Sequence, residues 1–280
     1  MAATAGLDPA VLAPLGAAAC YGVAAVIQQV GAHRAPPARR LSLRLIGDLL
    51  RQPLFLLGVV LDVAGFFLAF IGLRHLPVFV VQAAVSSTVA VTAVLGSRFL
   101  GDRLRPRDWW LVGAVVAGLT LVGSSAADGD APTLGWAGTL LLVGGVPVLG
   151  LAALSSDRRS AAGLGALAGV GFGGFALTGR LMPAHDGAAA LLADPVLWAA
   201  VGYAALGLGI YGAALQRGSV TAVTATTIVT EALLPSAVGF LLLSEGTRSG
   251  MAVAALVGLL LTVGGAVCLA DRGCESPVLR

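Results

Sequence analysis

The chain contains no lysine, and charge of either sign is scarce. Its 280 residues carry 17 basic groups, all arginine, and 14 acidic ones, together 11% of the chain. An ordinary soluble domain has about 25%. Without lysine, Schiff-base and phosphate-loop lysine chemistry is excluded. The three cysteines (Cys20, Cys268 and Cys274) are an odd number without metal-ligand spacing, so neither a disulfide framework nor a zinc site is supported. The three histidines, His33, His75 and His185, are too scattered for a metal site or a catalytic triad. Met1 to Ala10 holds no basic residue, so the charged leader region of a signal peptide is missing and the first apolar stretch is expected to remain as a span.

What is present is apolar. Without counting glycine the apolar share is 58%, and 39 glycines come on top. A soluble globule of this size could not hide that much apolar surface. Composition therefore excludes a soluble enzyme, a disordered chain and a nucleic-acid binder, and points to an all-α polytopic membrane protein. The net charge of +3 and pI near 9.1 follow from arginines kept on the cytoplasmic side of a membrane rather than from a nucleic-acid partner.

A helix needs about 20 apolar residues to cross a hydrocarbon core of roughly 30 Å. Nine runs qualify: 10–31, 53–73, 77–97, 109–125, 133–154, 161–181, 195–215, 219–243 and 250–270. None shows the alternation of outer-membrane strands. Assigning the connections alternately to two sides puts 14 arginines on one side and only Arg74, Arg180 and Arg248 on the other. The positive-inside rule then predicts a cytoplasmic-membrane protein with its N-terminus outside and its C-terminus in the cytoplasm. In the segment 32–52, Arg40, Arg44, Asp48 and Arg51 share one helical face and Leu41, Leu45 and Leu49 another. That pattern predicts an amphipathic helix on the inner membrane surface, held by apolar contact and anionic lipid; a solvated loop is the alternative.

The chain also resembles itself. Residues 70–123 and 212–265 share a layout at an offset of about 142. Each copy has Leu-Gly-Asp (100–102) or Leu-Ser-Glu (243–245) before its last span, which contains Leu-Thr-Leu-Val-Gly (119–123) or Leu-Thr-Val-Gly-Gly (261–265). The predicted layout is a single membrane domain: a first repeat at 10–125, a connecting helix at 133–154 and a second repeat at 161–270. An odd connecting helix inverts the second four-helix repeat relative to the first. Inverted repeats are a transporter architecture, with the substrate site near the midplane between them.

The stretch Asp62-Val-Ala-Gly-Phe-Phe, continuing through Leu76-Pro-Val-Phe-Val-Val-Gln82 to Phe99-Leu-Gly-Asp-Arg103, resembles the drug/metabolite transporter superfamily with its EamA-like members. It is especially similar to the shorter subgroup related to NIPA-type magnesium transporters, and Tyr21-Gly22 with Gln28-Gln29 fits the same group. The resemblance implies a two-repeat helical carrier that is not an enzyme. Most members have ten spans as two fives, whereas here the arginine-rich 32–52 stands where a span would be expected. Members carry different solutes, so the resemblance does not name one.

Two acids lie where lipid would penalise them. Asp62 is central in 53–73, and Gly58, Gly65 and Ala69 share its face. Small residues let a neighbouring helix approach, so this face is expected to point into the bundle. Its carboxyl is either a cation or proton site or a protonated packing group. Glu231 is central in 219–243, at the end of a stripe through Thr221, Thr224 and Thr227 that continues to Pro235. Such a row could replace a cation's hydration shell; alternatively the threonines bond back to their own helix carbonyls. Intramembrane ionisable residues mark sites by default. Gln82 and Ser86 form an i, i+4 polar pair in the repeat-equivalent helix. Gln28 and Gln29 fit an interfacial role and Tyr21 a packing one. Gly207-Leu-Gly209-Ile-Tyr-Gly212 matches a dinucleotide fingerprint only on paper, because no strand precedes it; close helix packing accounts for it and for Gly169, Gly171, Gly173 and Gly174.

The leading expectation is a secondary transporter that moves a small solute or cation by alternating access, with Asp62, Glu231, Gln82, Ser86, Thr224 and Thr227 as the binding residues. A divalent-cation permease keeps the same fold and would use Asp62 and Glu231 for the metal. From other classes, a membrane-embedded enzyme lacks a catalytic cluster, and a scaffold leaves the two acids unexplained. No cofactor is expected. The partners are the lipid bilayer and the cargo; a homodimer is compatible with such a bundle.

Overall fold

The computed structural model describes residues 9–36, 43–75, 81, 84–101, 104–125, 135–154, 159–183, 187–242, 248 and 250–273. Among them there is no strand. The helices are α1 (Pro9–Arg34), α2 (Leu43–Leu50), α3 (Pro53–His75), α4 (Thr88–Leu95), α5 (Pro106–Ser125), α6 (Trp136–Leu154), α7 (Ala161–Leu181), α8 (Ala188–Ala193), α9 (Pro195–Leu215), α10 (Val220–Leu242) and α11 (Ala252–Gly273). Six are long and apolar enough to cross a membrane, and shorter apolar helices cover Pro53–Ala69, Ala84–Leu100 and Val220–Leu234. Each of the nine apolar runs of the sequence thus contains a helix among the described residues. Gln82 and the acids Asp102 and Glu245 of the two short triplets lie outside the described residues, as do Arg40 and Leu41.

Local sequence sets the helix ends. Asp194 caps α9 by accepting from the Val196 N–H at 2.7 Å, with Pro195 as the first helical residue. Ser160 accepts from the Gly163 N–H at the start of α7, and Asp108 takes the Arg105 N–H at the start of α5. Each satisfies a donor that a helix start leaves orphaned. α4 runs into a π-helical turn, Gly96–Leu100, closed by Gly101 at φ 74, a left-handed conformation that suits glycine.

Missing side chains set the packing. Gly58, Gly65 and Gly72 fall seven residues apart on one face of α3 and meet Gln28, Tyr21 and Pro14 of α1, while Gly31 of α1 meets Phe55. Contacts that descend one helix as they climb the other make α1 and α3 an antiparallel pair. On α7, Gly165, Gly169 and Gly173 face α10, whereas Gly171 and Gly174 face Gly207 and Tyr203 of α9. Gly212 lies under Leu49 and Phe55. The glycine-rich strings of the sequence are therefore helix-packing surfaces, as their context implied. In hydrocarbon there is little hydrophobic drive between helices, and close approach supplies the attraction instead.

α5 and α11 also cross antiparallel: Gly118 lies against Gly258 and Thr262, and Gly265 against Leu111 and Val115. α6 packs on α9 through the Tyr203 hydroxyl, which donates to the Leu142 carbonyl at 3.0 Å. Large apolar side chains such as Phe66, Phe67, Leu140, Leu151, Val253 and Leu260 point outward, which suits lipid and not water. All four tryptophans occupy helix starts: Trp109 and Trp110 in α5, Trp136 in α6 and Trp198 in α9. Together these features make the chain an integral, multi-pass helical bundle.

The segment before α3 contains the expected amphipathic helix, and part of its apolar side packs on protein. α2 is helical and amphipathic, but Leu45 and Leu49 are buried against protein, with Leu49 over Gly212 of α9 and near Phe55 of α3. Leu45 and Leu49 are thus covered by protein, while Leu50 remains exposed. At eight residues, or about 12 Å, it is too short to cross the membrane. Leu49→Ala should destabilise the bundle by about 2–5 kcal/mol, as for a buried core leucine. Thermal unfolding in detergent checks this, and an unchanged midpoint would contradict the docking.

Candidate functional site

The first half supplies Asp62 on α3, and its partner comes from α1. Gln28 is only 1% exposed, and its Nε2 donates to Asp62 Oδ2 at 2.6 Å. The absence of a side chain at Gly58 leaves room for Gln28 to lie across α3, and the absence of one at Gly65 seats the Tyr21 ring about two turns further along. The glycine face of α3 thus brings Tyr21, Gln28 and Asp62 together. Asp62 Oδ2 is occupied by this bond.

The second half supplies Glu231 on α10. Its backbone lies beside Gly169 and Gly173 of α7. The Asp62 and Glu231 carboxyl groups come near enough for their charges to interact. Both also act on the hydroxyls of Tyr21 and Tyr211. In a low-dielectric interior such interactions reach further than in water. Every arginine among the described residues lies outside the helices or in their first or last turns.

Tyr211 of α9 and Thr224 of α10 join hydroxyls at 3.0 Å, both buried. The Tyr211 ring stacks edge-on against Phe172 of α7, with centroids 6.1 Å apart. Thr227 is placed otherwise. Its hydroxyl donates to the Val223 carbonyl of its own helix at 2.8 Å and reaches the Gly165 carbonyl of α7 at 3.0 Å. It fastens two helices together. Thr226 and Thr230 bond back within α10. Within the threonine row, Thr227 fastens helices together whereas Thr224 meets Tyr211. Ser86 is buried in a helical stretch one residue before the Ser87 turn that precedes α4, and Gln82 lies outside the described residues.

Gln28 and Tyr211 were not singled out from the sequence as site residues. Gln28 sits near a helix end, where a polar residue is unremarkable, although it shares a face with Tyr21 seven residues earlier. Tyr211 is hidden in a glycine-rich string. Gln29, also read as interfacial, is buried and donates through Nε2 to the Gly218 carbonyl at 2.8 Å. Gln216 returns the contact, donating to the Ala32 carbonyl at 2.8 Å. These two amides tie the end of α1 to the turn between α9 and α10.

Among the described residues no cluster of three or more His, Cys, Asp or Glu could hold a metal ion. Residues 47–124, from the end of α2 through α5, match the sequence model of the EamA-like transporter family. The matched segment includes Asp62 and ends with the last helix of the first half. No curated protein and no solved structure matches the chain. The family match covers 78 of the 280 residues.

Proposed function

We propose that the protein is a secondary transporter that moves a small solute or cation across the cytoplasmic membrane, with Asp62 and Glu231 holding the cargo or a coupled proton. The feature that carries this reading is a pair of intramembrane acids, one from each half of the chain: Asp62 bonded by Gln28 of α1, and Glu231 set beside Gly169 and Gly173 of α7. Intramembrane ionisable residues are costly and mark transport paths. The EamA-like match at 47–124 adds support and implies transport rather than catalysis.

Alternating access needs two halves that rock about the site. Tyr21 of α1 lies over Gly65 of α3, and Phe172 of α7 lies over Gly207 of α9. Gly65 and Gly207 are 142 positions apart, which is the offset of the internal repeat. Gly22 and Gly173, each next to the aromatic, face α4 and α10 respectively. This correspondence supports two like halves, 10–125 and 161–270, and the antiparallel crossing of α5 with α11 supports their inversion. With the arginine-rich side cytoplasmic, the Gln29 and Gln216 contacts close that side between the halves.

A NIPA-like divalent-cation permease is the second reading, since two acids suit a cation. Mg²⁺ retains several waters and prefers octahedral oxygen ligands. Reconstituted protein decides between the two. Proteoliposomes are tested for uptake of a panel of amines, amino acids, nucleosides and sugars, and of Mg²⁺, with and without a pH gradient. Secondary transport gives saturable solute uptake that the gradient accelerates. Mg²⁺ uptake indifferent to the gradient would favour the permease, and no flux above protein-free vesicles would overturn both.

A further inference from the structure

Two buried hydroxyls in the bundle have no partner. Thr88 and Thr92 of α4 are 3% and 0% exposed, and neither Oγ1 makes a hydrogen bond. Threonines elsewhere in the bundle do not behave this way. Thr120, Thr178, Thr226, Thr227, Thr230 and Thr262 each donate to a carbonyl one turn back, the usual outlet for a hydroxyl in an apolar helix. An unpartnered buried hydroxyl is destabilising, and two on successive turns of one helix call for something that occupies them.

Their direction follows from their neighbours. Val94 is exposed to the lipid side and lies about 200° around the helix from Thr92. Val91 packs on Gly22 of α1, while Val89 and Ala93 join an apolar cluster that holds Ala225 and Val229 of α10 together with Val112, Val115 and Leu119 of α5 and Ala266 and Leu269 of α11. Thr88 and Thr92 fall in the sector between, facing the interval between α1 and α10. Those helices carry Tyr21, Gln28 and Glu231. The depth agrees as well. Gly22, beside Thr92, is the fourteenth of 26 residues in α1, and Glu231 is the twelfth of 23 in α10.

We infer that Thr88 and Thr92 are cargo-binding residues that complete the Asp62–Glu231 site, and that the cargo is a small organic cation with N–H donors, of the primary ammonium class. This rests on the reading of Asp62 and Glu231 as the cargo site. The chemistry of the walls selects the cargo. Two carboxyl groups and the hydroxyls offer acceptors, and every arginine among the described residues lies outside the helices or in their end turns, so an anion finds no cationic partner among them. Two acids without a third ligand, and two hydroxyls a helical turn apart, suit an ammonium that distributes several N–H bonds better than a dehydrated divalent ion. The Tyr21 ring offers a face to the same charge.

The test uses the full chain in detergent and follows its thermal midpoint against ethylammonium, tetramethylammonium and Mg²⁺ at equal ionic strength. Ethylammonium should raise the midpoint saturably, by mass action, and tetramethylammonium, which has no N–H, should not. Thr88→Val/Thr92→Val should weaken the apparent ethylammonium affinity about tenfold or more, and Thr88→Ser/Thr92→Ser should retain it. Without cargo the valine variant should melt no lower than the parent, because a methyl replaces an unpartnered hydroxyl. A lower melting point would make the hydroxyls structural and overturn the inference. Valine variants that bind normally while Asp62→Asn does not would overturn it and leave the site intact. Normal binding by Asp62→Asn would sink the site reading itself. No preference for ethylammonium over tetramethylammonium or Mg²⁺ would overturn the cargo class.

Discussion

Asp62→Asn and Glu231→Gln each reduce transport in proteoliposomes to near the level of protein-free vesicles, with the protein still eluting as a folded species. Both replacements conserve volume. The amide at position 62 still accepts from Gln28 Nε2, so the α1–α3 contact at Gly58 is kept. What is lost is the negative charge. Removing one member of a desolvated charged contact typically costs 2 kcal/mol or more, about 30-fold or more in affinity. Because the two acids interact, the double variant should show less than the product of the single effects. Unchanged flux in both single variants would remove the site and with it the reason for assigning transport to these residues.

Gly118→Leu should prevent assembly of the bundle, whereas Gly113→Leu on the same helix should be nearly silent. A Cβ at Gly118 would meet the Gly258 carbonyl oxygen and the Thr262 backbone nitrogen of α11. Backbone atoms cannot rotate away as a side chain can, so the helices must separate and lose their contact. Overpacking usually costs 1–3 kcal/mol; with backbone on the facing side, about 3 kcal/mol or more is expected here. At Gly113 nothing lies within 4 Å and the position is exposed. Size-exclusion profiles and thermal unfolding in detergent compare the two. Equal behaviour would mean that α5 and α11 do not approach as closely as described.

Much of the fold was legible because it is written in hydropathy: a membrane helix must satisfy its backbone within itself, so apolar length alone marks it. The faces were legible in part. The stripe through Gly58, Asp62 and Gly65 points to α1, because small residues and an acid have no reason to face lipid. Partners were harder to read. That Gln28 bonds Asp62 depends on the antiparallel pairing of α1 and α3, which brings residues 34 positions apart together. The threonine row shows the same limit from the other side. Periodicity places Thr224 and Thr227 on one face, but only the distances show that one meets Tyr211 and the other locks onto Gly165. The amphipathic pattern of α2 was likewise sound, while the covering of part of its apolar side by protein depends on Gly212 lying beneath Leu49.

The tryptophans at the helix starts make the protein a gauge of its own surroundings. α5 and α6 are consecutive spans, so Trp109 and Trp110 mark one surface of the bilayer and Trp136 the other, with Trp198 on the same surface as Trp136. Indole rings settle at the headgroup level, and the 20 residues of α5 separate the two levels by about 30 Å. No indole lies near Asp62 or Glu231. Intrinsic fluorescence is therefore blind to occupancy of the midplane but sensitive to bilayer thickness and to any rocking that lifts one rim relative to the other. A change in emission on adding cargo would register motion of the whole bundle, not contact with the cargo.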